Sequence, residues 1–563
     1  MMIDSGISPD AREVLEKNSS FVSDNAQRFQ EYLAWDKQYR AEPTIKRREV
    51  YSTTVVPEMF SEVEAISTAA FEMVFSDDTD AAFFSTLATS QEFNDLARNA
   101  QAVLVRQFEV MHFERKFLGF LRKLVLNGTG VSKIPWKYRK NQRGAPKEGP
   151  DFEIVNLLRF RYDQSAVNID DAGWTATELS VSHYEAYAQA LKGYWQNVGE
   201  AVARSKSDKD TYIQQKDNLA NKLLLGNKTK ELEVIEYYGT LESKKDNQCY
   251  RMTVTKDGII LREAELNPYA NGEKPNLKTA WVDLGDEFCG LGIGKVNSRQ
   301  QDEVNERRNL SLDALRVSLY HMWGRLSGSG VDDENLSYSP NKIIDMNMVG
   351  GIFPLESKID QLVPAMRMEG MSKEDMMRAS AASSTFQAIP MDITATETKA
   401  VHSEAVRRVK VMVRANVSSF LRDMTYKIHG YNLEYLENPI LAEIIGENGA
   451  SEFKELNYQN LPSDLRIKVK ISTDMGSKFA LQKNYSEFLT AVGALLQNNP
   501  RYRLNPMAAI EYAASLYNFN PKDFIQEIAV NQELLNQPLG ATQDAMREMA
   551  EDGRQLMAEQ GAV

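Results

Sequence analysis

The stretch that decides the fold runs from Pro390 to Leu436, PMDITATETKAVHSEAVRRVKVMVRANVSSFLRDMTYKIHGYNLEYL. Thr394-Ala395-Thr396-Glu397 is a capping box: the threonine hydroxyl accepts from the Glu397 amide and the Glu397 carboxylate accepts from the Thr394 amide. A helix is expected to begin there. Ala405, Val409, Met412, Asn416, Phe420, Met424, Ile428 and Tyr431 recur every three or four residues. Val406, Val413, Val417 and Leu421 widen the stripe, and Gly430 offers a left-handed stop. At ~1.5 Å per residue such a helix spans roughly 50 Å, well beyond the usual globular helix, so it should cross a large body. The preceding segment, Ser383 to Ile393, reads as a loop held in place by that helix.

Working outward, Ser8-Pro9-Asp10 supplies an N-cap, a first helical position and an acidic first turn. A second helix around Phe29 and Leu33 should end before Pro43. Thr89-Ser90-Gln91-Glu92 repeats the capping-box pattern and opens a single amphipathic helix from Phe93 to Val125, stopped at Asn127-Gly128-Thr129-Gly130. Val131 to Tyr138 alternates like a strand, with Pro135 demoting it to an edge or a bulge. Strands are also expected at Phe152 to Leu158, Trp174 to Val181, Leu232 to Leu241, Tyr250 to Thr255 and Gly258 to Arg262, the last two joined by a hairpin turn at Lys256-Asp257-Gly258. Ser205 to Lys230 is polar and reads as a surface insertion.

Beyond Asp283 the pattern turns helical. Gly290-Leu291-Gly292-Ile293-Gly294 precedes a helix expected over Lys295 to Leu326, whose face of Gln300, Gln301, Glu303, Asn305 and Asn309 gives way to Leu312, Leu315, Leu319, Tyr320 and Trp323. Asn341 to Leu355 reads as two short strands around Gly350-Gly351, and Ser372 to Ser384 as a shorter helix capped by Ser372. After the long helix, Leu441 to Phe453 reads as a helix and Asp464 to Ile471 as a strand. Phe479 to Gln497, Pro506 to Tyr517 and Pro521 to Asn531 read as helices, and Thr542 to Gln560 as a helix that orders in an assembly.

The chain has 563 residues, 42% of them hydrophobic and 26% charged, enough for several cores. A net charge of -13 and a pI near 5.2 argue against coating or condensing nucleic acid, which requires many phosphates to be neutralised by Lys and Arg. Two cysteines, Cys249 and Cys289, are too few for a disulfide framework, and the first residues lack a signal-peptide layout, so an intracellular product is expected. No apolar run is long enough for a membrane span. The basic run Lys46-Arg47-Arg48 reads as a solvated face, with phosphate contact as the lesser alternative.

Tests for chemistry fail one after another. The Gly290 to Gly294 run lacks the spacing and the following Ser or Thr of a P-loop. Lys295 also stands where the dinucleotide fingerprint needs glycine, so the run reads as a turn that lets backbones pack closely. Acidic clusters at Asp77-Asp78 with Asp80, at Asp170-Asp171 and at Asp332-Asp333-Glu334 have a composition that could hold a divalent metal, but all sit where Asp serves turns. His112, His183, His321, His402 and His429 have no metal-ligand spacing and no nucleophile motif beside them. No catalytic, cofactor-binding or metal-binding residue is assigned, and no cofactor is expected.

Four passages, in order, resemble the portal, or head-to-tail connector, proteins of tailed bacteriophages, in particular the short-tailed type. They are LVLNGTGVSKIPW (Leu124 to Trp136), FEIVNLLRFRYDQSAVNIDDAGW (Phe152 to Trp174), GLGIGKVNSRQQDEVNERRNLSLDAL (Gly290 to Leu315) and ITATETKAVHSE (Ile393 to Glu404). The resemblance implies an α+β, predominantly helical portal fold with wing, stem, clip and crown regions. Residues 1–289 would form the wing, 290–326 a stem helix, 327–364 the clip and 365–382 a second stem helix. Residues 383–393 would form the tunnel loop, 394–475 the long helix and wing return, and 476–563 the crown.

The implied partners are further copies of the chain in a ring, with twelve subunits expected; double-stranded DNA passing through the channel; the terminase large subunit; tail adaptors; and the major capsid and scaffolding proteins. No membrane partner is implied. The implied location is the capsid vertex of the virion, after assembly in the host cytoplasm. Ser383, Ser384, Thr385, Gln387, Ile389 and Asp392 would line the channel at the tunnel loop. Lys373 and Arg378 are placed either on passing phosphates or in pairs with neighbouring acids. Asn341, Lys342, Met346, Met348 and Phe353 would belong to the docking face of the clip. Met366, Met368, Met371, Met376 and Met377 suit either an adaptable contact surface or core filling. Two rival classes remain: another structural virion protein, either a tail adaptor or a capsid component, and a packaging nuclease or ATPase. The second is opposed by the missing P-loop and metal cluster.

Overall fold

Ser8 caps the first helix, α1 (Pro9–Asp24), by accepting from the Ala11 amide at 3.3 Å, with Pro9 at the first helical position and Asp10 in the first turn. The computed structural model describes residues 7–44, 51–75, 83–88, 94–138, 148–204, 231–269, 272–319, 323–327, 349–354, 362–380, 407–437, 440–445, 451–456 and 465–469. The chain divides into two compact units, Met1–Thr473 and Asp474–Val563, and the second lies wholly outside the described residues, together with the helices expected there.

The described residues mix helix and strand. After α1 come α2 (Ala26–Tyr39), α3 (Glu58–Val74), β1 (Phe84–Ala88), α4 (Asn94–Val110) and α5 (Phe113–Asn127). The single helix expected from Phe93 is two helices, because His112 is left-handed at φ 52° and an L-residue in that conformation cannot continue an α-helix. The capping box at Thr89 lies outside the described residues. Next come β2 (Thr129–Lys133), β3 (Trp136–Tyr138), β4 (Glu148–Pro150), β5 (Glu153–Val155), β6 (Phe160–Tyr162) and β7 (Trp174–Ser182). Pro135, without an amide to donate, separates β2 and β3, which join different sheets.

Helices α6 (His183–Leu191) and α7 (Val198–Arg204) are followed by β8 (Glu231–Gly239), β9 (Tyr250–Thr255) and β10 (Ile260–Leu266), which complete an antiparallel sheet in the order β10-β9-β8-β7-β6. Alternation along its strands buries both faces. Ala176, Ile235, Tyr237, Met252 and Val254 receive Ala11 and Val14 of α1. Val181, Leu232, Val234 and Leu261 receive Ala186 of α6 and Val198 of α7. Gly258, at φ 85°, makes the expected β9–β10 turn.

Strand β11 (Asn276–Ala280) joins β2 and β5 in a second sheet. Helix α8 (Ile293–Leu319) then packs against α9 (Leu362–Ser380). Helix α8 is shorter than expected, since Trp323–Arg325 forms a strand, β12, paired with β13 (Ile352–Pro354). Helix α9 begins ten residues before Ser372, the residue expected to cap it. Ser372 instead donates its hydroxyl to the Met368 carbonyl at 3.1 Å, inside the helix.

The long helix is present from residue 407 to Tyr435 as α10, with a π-helical turn at Val413–Val417; its expected start at Thr394 lies outside the described residues. Gly430 does not stop it. An apolar face with Val417, Phe420, Leu421, Met424, Ile428 and Tyr431 buried carries α10 past the glycine, because packing outweighs the roughly 1 kcal/mol preference against glycine. Phe420 stacks on Phe120 of α5 at 4.9 Å. The helix expected over Leu441 to Phe453 is instead the hairpin β14 (Ile440–Ile445) and β15 (Ser451–Leu456). The intervening Asn448-Gly449 is the sequence signal for a hairpin that the helical reading passed over. Strand β16 (Leu465–Val469) pairs with β1.

Candidate functional site at the α8–α9 helix pair

One polar stripe of α8 binds the segment that precedes α3. Gln301, Asn305, Asn309 and Asp313 recur every four residues and accept from the amides of Met59 (2.8 Å), Val56 (2.9 Å), Thr54 (2.7 Å) and Ser52 (2.7 Å). Gln301 also donates to the Val56 carbonyl at 2.8 Å. An extended segment before α3 therefore runs antiparallel along α8 as if a neighbouring strand were there. From Asn305 to Asp313 the fit is metric, since two residues of strand advance about 6.6 Å and four residues of helix about 6.0 Å; the last pairing, to Met59, is with the first turn of α3.

Charge ties α8 to α9. Arg308 reaches both carboxylate oxygens of Glu369, at 3.1 and 3.0 Å from its Nε. Lys373 also pairs with Glu369 at 3.3 Å and with Glu58 of α3 at 2.9 Å. Burial alone would raise the Glu369 pKa, but Arg308 and Lys373 outweigh it and hold the carboxyl below its ordinary value. Arg307 donates to the Met368 carbonyl at 2.6 Å and to the Ser372 hydroxyl at 3.0 Å. At the other end of the pair Asn297 donates to Glu62 of α3 at 2.7 Å and to the Met376 carbonyl at 3.0 Å. Burial pushes Glu62 up to about 7 against the lowering effect of that Asn297 hydrogen bond.

The glycine run leading into α8 is a close-packing device. A Cβ on Gly292 would stand 2.2 Å from the Gly128 nitrogen and 2.6 Å from the Leu126 carbonyl oxygen, and one on Gly294 would meet the Trp35 ring at 2.6 Å. The Gly290 amide donates to Thr129 Oγ1 at 2.9 Å and the Leu291 amide to the Val282 carbonyl at 3.0 Å, so two amides that a phosphate would need are already used. Among the described residues no group of three or more His, Cys, Asp or Glu side chains is placed to hold a metal ion, and no helix is long and apolar enough to cross a membrane.

No family model matches the chain, and no curated protein matches it. Among solved structures it is similar to a chain of the virion of a native gene transfer agent particle. The identity is 11% and the TM-score 0.36, over 87% of this chain and 99% of that one. A chain from the neck of an empty gene transfer agent particle is similar at 11% identity and a TM-score of 0.37, over 83% of this chain and 91% of that one. Neither likeness is close enough to establish a shared fold.

Of the residues singled out from sequence, Lys373 is engaged by two carboxylates. Arg378 is 76% exposed near the end of α9, with Glu374 at 3.4 Å and Asp375 at 3.9 Å. Phe353 lies on β13 opposite Gly324 and is exposed. Asn341, Lys342, Met346 and Met348, and Ser383, Ser384, Thr385, Gln387, Ile389 and Asp392, lie outside the described residues. The methionines divide: Met376 is buried, while Met366, Met368 and Met371 are exposed on α9, with Leu310 and Leu315 exposed on α8. Sequence reasoning missed the strap of residues 52–56 and the part played by Glu62. The four-residue spacing of Gln301, Asn305, Asn309 and Asp313 was the available signal for the first; for Glu62 there was none.

Proposed function

We propose that the chain is a non-enzymatic portal subunit, one of a ring of identical copies at a capsid vertex that serves as a conduit for double-stranded DNA during packaging and release. The observation that carries this reading is the chain order around α8 and α9. A mixed α+β body leads through a glycine turn into α8. A small distal strand pair, β12–β13, follows, then the return helix α9 and the long helix α10. It is the order that the four sequence passages imply for stem, clip, stem and the helix returning to the wing. In this reading β12–β13 belongs to the face that docks the terminase and later the tail adaptors. Residues 383–393 narrow the channel, and capsid and scaffolding proteins surround the ring.

Two physical features support it. The chain's net charge of -13 avoids the counterion-release affinity that would turn a conduit into a clamp. Exposed Leu310, Leu315, Met366, Met368 and Met371 give the helix pair apolar surface for neighbouring copies. Negative-stain electron microscopy of the purified chain tests the reading: rings of about a dozen subunits with a central hole are expected. Monomers, shells or closed hexamers would overturn it, as would DNA cleavage or ATP hydrolysis abolished by a point variant.

A further inference from the structure

Glu62 and Asn297 leave two buried acceptors idle at the junction of α3, α8 and α9. Glu62 is 1% exposed and Asn297 is fully buried. Asn297 Nδ2 donates to Glu62 Oε2 at 2.7 Å and to the Met376 carbonyl at 3.0 Å. Glu62 Oε1 and Asn297 Oδ1 have no hydrogen-bond partner among the described residues. Buried polar atoms are rarely left so. One proton satisfies both. A neutral Glu62 can donate from Oε1 to Asn297 Oδ1 while Asn297 Nδ2 donates back to Oε2, the paired bonding of a carboxylic acid and a primary amide.

Among the described residues the neighbouring charged groups are engaged elsewhere. Tyr39 of α2 and Arg122 of α5 both bond Glu64, at 2.5 and 2.7 Å, and Lys373 of α9 is held by Glu58 and Glu369. Burial, the largest influence on Glu62, and Glu58 one turn earlier on α3 favour the neutral acid, against Asn297 of α8 and the Ser380 hydroxyl of α9.

Ser380 is also the last residue of α9, so the pair lies against the carbonyl end of that helix. A helix C-terminus carries a partial negative charge, and ionising Glu62 there sets like against like. The middle of α9 is clamped: Arg308 bonds Glu369, Lys373 bonds Glu58, and Arg307 bonds the Met368 carbonyl and Ser372. In the last turn Arg378 pairs instead with Glu374 and Asp375 of its own helix, all three exposed. Asn297 reaches the Met376 carbonyl there, and Arg408 of α10 reaches the Arg378 carbonyl at 3.2 Å.

We propose that Glu62 and Asn297 form a proton-operated latch on the last turn of α9. The neutral acid–amide pair keeps residues 376–380 docked on α3 and α8, and loss of the proton shifts that turn toward an undocked form in which the carboxylate meets water. The clamped middle of the helix stays in place. The inference does not depend on the conduit reading. Where that reading holds, the turn that opens is the one that precedes residues 383–393.

The test is hydrogen–deuterium exchange with mass spectrometry on the full chain, at about pH 5.5 and about pH 8, with rates corrected for the intrinsic pH dependence of exchange. The carboxyl titrates at about 7 when docked and near 4.5 when free, so opening becomes easier as pH rises between those values and levels off above them. At the higher pH residues 376–380 should exchange faster than residues 366–372 of the same helix. Their protection should rise by roughly tenfold or more at the lower pH. Glu62→Gln, which can pair with Asn297 amide to amide and cannot ionise, should show protection there that is independent of pH and close to the parent's value at the lower pH. Protection of residues 376–380 that does not change with pH in the parent would overturn the proposal. So would a pH dependence that survives in Glu62→Gln, or exchange of the two stretches as one unit at the higher pH. The parent's profile decides the matter if the variant fails to fold.

Discussion

Asn309 and Thr54 exchange two hydrogen bonds: the Thr54 amide donates to Asn309 Oδ1 at 2.7 Å and Asn309 Nδ2 donates to the Thr54 carbonyl at 2.9 Å. A side-chain amide here does what a backbone peptide does in a sheet, and it does so from a helix. Among the described residues no strand lies beside residues 51–57, and this face of α8 satisfies their partly buried backbone groups instead. An apolar residue at Gln301, Asn305, Asn309 or Asp313 would take away the acceptor for one of these amides.

Replacing Asn309 with alanine is therefore expected to lower stability by about 1–2 kcal/mol, since it removes both hydrogen bonds to the partly buried Thr54 backbone. Urea midpoints measure the loss. Chymotrypsin adds a local readout at Tyr51, which is already half exposed: cleavage there should accelerate more than cleavage elsewhere. Unchanged proteolysis at Tyr51 with lowered global stability would show that the ladder supports α8 rather than the segment docked on it.

Gly292 and Gly430 should respond in opposite senses to alanine. The methyl at position 292 meets backbone on two sides, the Gly128 nitrogen and the Leu126 oxygen, and no rotamer can relieve it. A loss of about 3 kcal/mol or more is expected, visible as insoluble or early-melting protein. At position 430, inside α10, nothing lies within 4 Å of an added Cβ. Gly430→Ala should raise stability by about 0.5–1 kcal/mol. A destabilised Gly430→Ala variant would contradict the continuous helix.

These two glycines also mark how far the sequence could be read. The run from Gly290 to Gly294 was legible as close packing, because its spacing fits neither phosphate-binding pattern, but nothing local names Asn127 and Gly128 as the backbone it meets. Gly430 was misread for the converse reason: a left-handed stop is a local preference, and the buried stripe through Tyr431 overrides it. Likewise the amide face of α8 was visible as a polar stripe, while its partner lies about 250 residues earlier in the chain. Of the β9–β10 pair, whose strands alternate around a turn glycine, β9 lies at its expected bounds, while β10 begins two residues later and ends four residues later than expected. The hairpin β14–β15 was lost to a helical reading that ignored Asn448-Gly449.

Arg161 and Glu178 form a fully buried pair at 3.3 Å on the face of the five-stranded sheet that receives α1. Asn18 of α1 donates to the same carboxylate at 3.1 Å and Lys256 stands 3.4 Å from its other oxygen, while the guanidinium lies over the Phe29 ring at 5.1 Å. Glu178→Ala leaves a buried cation without its carboxylate and should cost about 3–5 kcal/mol. Exchanging both residues for apolar ones of similar volume, Arg161→Met with Glu178→Leu, should recover most of that loss in a thermal melt. Failure to recover would assign the effect to Asn18 and the docking of α1 instead of to the stranded charge.

Glu62 gives the helix pair a pH dependence whose sign can be worked out. Burial raises its folded-state pKa from an ordinary value near 4.5 to about 7, with Glu58 adding to the rise and Asn297 opposing it. The folded chain therefore holds a proton that the unfolded chain releases between those values. The stabilisation linked to that proton is fully present below about pH 4.5 and is lost as pH rises through 7. Above that window the charged carboxylate remains buried at the junction of α3, α8 and α9, at a cost of about 3 kcal/mol. Glu62→Gln keeps an oxygen for Asn297 and cannot ionise. The variant should match the parent in urea at pH 4.5 and exceed it at pH 8, the gap opening across the interval. A gap that stays constant with pH would mean that Glu62 is charged throughout and that its environment is wetter than its burial implies.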